Sequence, residues 1–356
     1  MGAHEVSRPR RRALPPWAVA CVVAGLLGAT AGRGAAEVRA AYFYDHMDSD
    51  HLDSLAAAGF SRAIIRVVAD SLDDAHAGLL PDWMDRARAL GIELVVDWAF
   101  QAPSRLERVG ARGRFTWGLG NLEPSVACPL DSLYWRSALL DRADEILHEV
   151  PTLKRLAVDF EIYSGGITHY DAGACRCARC LAEYTQAASG AAAPGEAWRM
   201  SGLLSYEESR LTRLLSSLMA EFAVRHPGVE LSVFDLDYDS FVHRALARAL
   251  AQNHVPTTDY CERSYSTGGT PLWSARGRLT ALGLPNVPLV GGLWLKRFAP
   301  KDVPAAVRSV TALADGYFIF STYSLTRPPA ELRGPYVLLG RPADYWQAFA
   351  EVNHLP

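Results

Sequence analysis

The chain has 356 residues, 49% of them apolar, which suits one large globular domain or two small ones. Charged residues make up 21% and the net charge is −3. A mildly acidic chain has no electrostatic reason to seek nucleic acid or anionic lipid, so neither is an expected partner.

The first 36 residues read as a leader. Arg8 to Arg12 form a basic start, Ala13 to Gly32 carry no charge, and Ala29-Thr-Ala31 and Gly34-Ala-Ala36 are small-residue cleavage sites. Cleavage after this segment removes five arginines and one glutamate and takes the net charge from −3 to −7. The expected product is a secreted or periplasmic monomer, 37–356, that does not insert into the membrane. An uncleaved N-terminal anchor is the competing reading, because the apolar run is near spanning length.

From residue 37 onward, strand-like and helix-like runs alternate. Apolar β-rich runs occur at Val38–Tyr44, Arg62–Val68, Glu93–Trp98, Lys154–Glu161, Glu230–Asp237, Pro256–Glu262, Val287–Leu295 and Gly316–Thr322. Between them, Pro81 followed by Trp83, Met84, Ala87 and Leu90 before Gly91 spells a helix with a proline start and a glycine stop. Helical spacing recurs through Asp131–Val150, at Leu211, Leu214, Leu215, Leu218 and Phe222, and from Val303 to Leu313. Eight strands each followed by a helix is the count of an α/β (β/α)8 barrel. A doubly wound open sheet is the structural rival, but its glycine-rich first turn is absent: Tyr44-Asp-His-Met-Asp-Ser-Asp50 stands there. With no phosphate loop or dinucleotide fingerprint anywhere, no cofactor is expected.

Two connections are far longer than the usual few residues. One runs from Ala99 to Pro129 after strand three and the other from Tyr163 to about Gly202 after strand four. Both emerge at strand C-termini, the face on which barrel active sites are built. The second carries Cys175-Arg-Cys-Ala-Arg-Cys180 and a short helix over Cys180–Ala187. In an oxidising compartment these cysteines, with Cys128 and Cys261, are expected to form at most two disulfides. A thiolate zinc site at Cys128, Cys175, Cys177 and Cys180 is the competitor.

The strand ends carry the candidate chemistry. Strand three ends in Asp97 and Trp98, strand four in Asp159 and Glu161, strand five in Asp235 and Asp237 followed by Tyr238. Strand six ends in Glu262, strand seven in Trp294, and strand eight leads to Tyr323, with Tyr163 just beyond strand four. Residues two apart on a strand share a face, so Asp159 and Glu161 are expected to project together. Carboxylates and flat aromatics in one cleft suit glycosidic bond cleavage on a carbohydrate substrate. One carboxylic acid protonates the leaving oxygen, and a second carboxylate activates water or attacks the sugar carbon. Aromatic rings offer platforms to sugar faces. Glu161, Asp159, Asp237 and Glu262 are therefore the catalytic candidates. Asp97, Trp98, Tyr163, Asp235, Tyr238, Trp294 and Tyr323 are the substrate-binding ones. Arg66 is expected to point into the barrel and pair with Asp97 or Asp159.

Val158-Asp-Phe-Glu161, with Tyr163 beyond it, resembles the strand-four Asp-x-Glu ending of family 18 chitinase-like barrels. That resemblance implies Glu161 as general acid and Asp159 as the group orienting a substrate acetamido nucleophile. It covers few residues. The family's two earlier aspartates fall on Ala157 and Lys154, and Phe320-Ser-Thr-Tyr323 stands where the family has a tryptophan. Barrels with catalytic glutamates on strands four and seven match less well, because strand seven presents Trp294 and Lys296. In the α-glycosidase arrangement, Asp159 would be nucleophile with Asp237 or Glu262 as acid. At fold level the chain is similar to secreted glycoside-hydrolase-like barrels with a Cys-rich loop after strand four. The expected function is a secreted glycoside hydrolase. The alternative is a non-catalytic barrel that binds carbohydrate or protein at the cell surface.

Overall fold

Eight parallel strands close on themselves in the computed structural model: β1 (Val38–Tyr44), β2 (Arg62–Val67), β3 (Glu93–Ala99), β4 (Arg155–Asp159), β5 (Glu230–Asp235), β6 (Asp259–Cys261), β7 (Leu289–Trp294) and β8 (Gly316–Phe320). Residues 37–67, 79–99, 114–117, 121–159, 163–164, 167–168, 174–188, 200–235, 240–265, 270–320 and 322–354 are described. Residues 1–36, where a leader is expected, lie outside them, as do Glu161, Asp237 and Tyr238. Each strand pairs with its neighbour in sequence, and β1 pairs with β8 to close the ring. The chain thus forms the (β/α)8 barrel that the alternation implied.

A helix follows each strand: α1 (His51–Ala57), α2 (Leu79–Ala89), α3 (Ser132–Trp135, continuing through a π-helical turn, Arg136–Asp141, into Arg142–Glu149), α4 (Ala178–Ala188) and α5 (Met200–Arg225), α6 (Phe241–Gln252), α7 (Thr270–Ala281), α8 (Val303–Thr311) and α9 (Pro342–Asn353). Local chemistry sets several starts. Asp131 accepts hydrogen bonds from the backbone of Leu133 and Tyr134 at the head of α3, and Ser240 accepts one from Val242 at the head of α6. Among the described residues no helix is long and apolar enough to cross a membrane.

Some strands are shorter than their apolar runs. Pro256 and Pro288 lie in two of those runs and lack the N–H that a ladder needs, so β6 and β7 begin after them. Glu262 ends its run in a 3₁₀ turn, Glu262–Tyr265. Helix α9, which the periodicity did not single out, lies beside the β1–β8 closure. Asn353 accepts from the Tyr317 hydroxyl at 2.7 Å and donates to the Ala58 carbonyl at 2.8 Å.

Alternation along the strands sorts the core into two clusters. Ala40, Tyr42, Ile64, Val95, Ala157, Phe234, Tyr260, Val290 and Phe318 fill the barrel interior. Phe43, Ile65, Val96, Val158, Val233, Leu293 and Ile319 face outward into the layer covered by helices. Closure leaves no room at Gly316, where a Cβ would lie 2.0 Å from the Val38 carbonyl oxygen. The N-terminal end of the barrel is held by charge. Arg62 pairs with Glu93 at 2.8 Å and donates to Tyr260 at 2.8 Å, while Arg155 bridges Glu93 and Glu230.

Both long loops contain a small antiparallel hairpin. Arg114–Trp117 pairs with Asn121–Ala127 after β3, and Tyr163–Ser164 pairs with Ile167–Thr168 after β4. Cys128 follows the first hairpin directly, and α4 begins three residues after Cys175.

Candidate active site at the barrel mouth

At the C-terminal end, the inward positions of β2, β3 and β4 present Arg66, Asp97 and Asp159. Arg66 Nη1 donates to Asp97 Oδ2 at 2.8 Å and to Asp159 Oδ2 at 2.7 Å, so the expected pairing forms with both acids at once. Tyr42, inward on β1, donates its hydroxyl to the same Asp97 oxygen at 2.7 Å. Asp97 is fully buried, Asp159 is 7% exposed, and the Arg66 side chain is 15% exposed. Burial pushes Asp97 up to about 6; Arg66 opposes the rise and the neighbouring Asp159 adds to it. The Arg66 guanidinium is held well above its ordinary value: burial disfavours the cation, but Tyr42, Asp159 and Asp97 outweigh it. His243, in the first turn of α6, is buried and lowered to about 4 by desolvation, with Asp159 opposing.

The opposite side of the mouth is aromatic. In an eight-strand ring β8 lies across from β4, and the rings cluster around β8 and its neighbours. Tyr265, just past β6, stacks on Phe320 of β8 at 5.4 Å between centroids and lies 6.4 Å from Trp294 of β7. Gly292 makes this possible, since a Cβ there would meet Tyr265 Cε1 at 2.3 Å. Tyr44 stacks on His46 at 5.6 Å and shares a hydroxyl contact of 3.1 Å with Tyr336, which packs on Tyr323 at 5.1 Å. Glu262 adjoins this wall and accepts from the Tyr265 hydroxyl at 3.2 Å; it is 8% exposed.

The structure sorts the sequence candidates. Asp97, Asp159, Glu262, Trp294 and Tyr323 lie at the strand ends or in the turns that follow them. Trp294 is partly exposed; its indole N–H donates to the Pro335 carbonyl at 3.0 Å and its ring lies 4.7 Å from the Arg297 guanidinium. Trp98 is a correction. Asp97 faces inward, so its neighbour faces out, and the Trp98 ring is buried beneath α3 with its indole N–H on the Ala138 carbonyl at 2.9 Å. Asp97 is also enclosed, so its expected contact with substrate gives way to holding Arg66. Tyr163 and Asp235 have described backbones only, in the second hairpin and at the end of β5.

Tyr42, Tyr44, His46, Tyr265, Phe320, Tyr336 and His243 were missed. Tyr42 and Tyr44 alternate on β1 and were legible as inward rings. Tyr336 stands in a 3₁₀ turn, Gly334–Tyr336, after the last strand, where no period points to it.

No disulfide is formed among the described cysteines. Cys128, Cys175, Cys177, Cys180 and Cys261 are all free thiols. The first four converge, with every Sγ within 4.8 Å of the others, and could hold a metal ion.

No protein-family model matches the chain, and no curated protein matches it in sequence. Solved structures do share its shape. A β-galactosidase from the psychrophilic Marinomonas ef1 superposes with a TM-score of 0.61 at 11% identity, covering 89% of this chain and 59% of that one. The present chain thus spans under two thirds of that enzyme's length. The catalytic domain of a family GH18 chitinase from the fern Peteris ryukyuensis gives 0.45 at 12% identity, covering 89% and 99%. A class V chitinase from Pseudomonas fluorescens Pf-5 gives 0.44 at 10%, covering 89% and 99%. At these identities the likeness concerns the fold alone.

Proposed function

We propose that the chain is an exported glycoside hydrolase acting on a polysaccharide or glycan. One observation carries the reading: a carboxylate, Glu262, adjoins an aromatic wall of Tyr265, Trp294, Phe320, Tyr323 and Tyr336 at the same barrel mouth that holds the Asp159 end of β4. Acids and flat rings at one mouth are what protonation of a glycosidic oxygen beside a bound sugar requires. The barrel shared with a β-galactosidase supports it at the level of fold.

In this reading Glu161, two residues beyond Asp159, is the proton donor, and Glu262 or Asp237 supplies the second carboxylate. Asp159 is held by Arg66 and acts as an orienting group; a carboxylate tied to a guanidinium is a poor nucleophile. No cofactor takes part, and residues 1–36 serve for export.

The test is a screen of chromogenic glycosides and soluble polysaccharides, followed by Glu161→Gln and Glu262→Gln on whatever is cleaved. Loss of an acid or base lowers turnover by roughly 10²–10⁴-fold, with circular dichroism unchanged. Wild-type rates in both variants would remove the assignment. A second reading has its own observation: the Arg66 bridge occupies both Asp97 and Asp159, two of the strand-end acids. A carbohydrate-binding barrel without turnover would show saturable binding, no product, and sensitivity to Trp294 but not to Glu161→Gln.

A further inference from the structure

We propose that Cys128, Cys175, Cys177 and Cys180 bind one zinc ion that clips the loop after β3 to the loop after β4. Such a site is independent of the reaction at the mouth. Cys128 Sγ lies 3.4 Å from Cys180 Sγ and 3.7 Å from Cys177 Sγ, and all four sulfurs fall within 4.8 Å of one another. A zinc–thiolate bond of about 2.3 Å places the sulfurs of a tetrahedron about 3.8 Å apart, whereas a disulfide joins one pair at about 2.05 Å. The observed spacings are those of a shared tetrahedral centre.

Surroundings agree. Cys128, Cys175 and Cys180 are fully buried and Cys177 is partly exposed, as in a closed structural site that needs no open coordination position. The Cys180 amide donates to Cys177 Sγ at 3.5 Å, a contact that stabilises thiolate charge. The Cys175 amide donates to Glu207 Oε2 of α5 at 2.8 Å, and Glu207 is itself completely buried. Outer groups of this kind hold ligand-bearing loops in register. The ligands come from three places: the end of the first hairpin, the 174–177 segment and the first turn of α4. Binding releases the thiol protons, and two negative charges remain on the four-thiolate zinc centre.

The experiment is metal analysis of the full-length protein purified without chelator. One zinc per chain is expected, and Cys177→Ser or Cys180→Ser should lower it to below about a tenth. Cys261→Ala, which alters the described cysteine outside the cluster, should retain zinc in full. Should the serine variants fail to fold, exchange of the wild-type protein into Co(II) remains decisive. Tetrahedral thiolate cobalt gives intense visible bands with sulfur-to-cobalt charge transfer in the near ultraviolet. A metal-free protein whose non-reduced mass is 2 or 4 Da light would instead show disulfides and overturn the proposal. Iron in place of zinc, or weak octahedral-type cobalt bands, would overturn it too.

Discussion

Replacing Arg66 with methionine should cost more than any surface change in this protein, and should do so in a pH-dependent way. Arg66 is the cation bonded to both Asp97 and Asp159, at 2.8 and 2.7 Å, in a part of the barrel where Asp97 has no exposure at all. Methionine matches much of the volume but removes the charge, leaving two enclosed carboxyl groups side by side. Breaking a buried pair from one side typically costs about 3–5 kcal/mol, or a fall of roughly 6–10 °C in Tm at about 2 °C per kcal/mol for a chain of this size.

The sign with pH follows from Asp97. Its folded value, about 6, already lies above its ordinary 3.8, and loss of Arg66 raises it further. A carboxyl group raised in the fold destabilises as pH rises from the unfolded value through the folded one, and the penalty vanishes below both. The Arg66→Met deficit should therefore be largest at pH 7 and shrink toward pH 4.5. Urea denaturation at both pH values reads it, and a second change, Asp159→Asn, should restore part of the loss at pH 7. A deficit under about 1 kcal/mol, or one equal at both pH values, would refute the reasoning.

Two further outcomes are expected. His243 is buried with its folded value near 4 against an ordinary 6.5, so it favours folding while neutral. Stability should fall as pH drops from about 6.5 through 4, by roughly 3 kcal/mol in the limit, and His243→Gln should flatten that slope in a pH series of unfolding curves. The two tryptophans should separate cleanly. Trp98→Ala empties a buried site and should cost about 3–5 kcal/mol without changing ligand preference. Trp294→Ala should leave stability within about 1 kcal/mol of wild type yet weaken retardation in polysaccharide affinity gels; equal effects from both would contradict their opposite strand faces.

Much of the barrel was legible from sequence because its signals are local. Apolar β-rich runs separated by helical periods mark eight βα units, and a parallel closed sheet is the architecture that alternation supports. Strand ends then point to one rim, so Asp97, Asp159 and Glu262 could be named before any coordinates. The length and cysteine content of the two loops were equally plain.

What only the tertiary structure decided is which of these groups meet. Whether Trp98 faces sugar or α3 depends on the strand's phase relative to the barrel axis, and one residue of phase reverses it. That Arg66 takes both acids depends on the register of β2 against β3 and β4, which side-chain type does not encode. The aromatic wall needs Tyr336, delivered from a turn after the last strand, and a glycine at 292 that lets Tyr265 lie flat. The four thiols likewise had two readings in sequence, paired bonds or one shared centre. Only the fold brings all four sulfurs within 4.8 Å of one another, because local sequence sets conformation while long-range packing sets proximity.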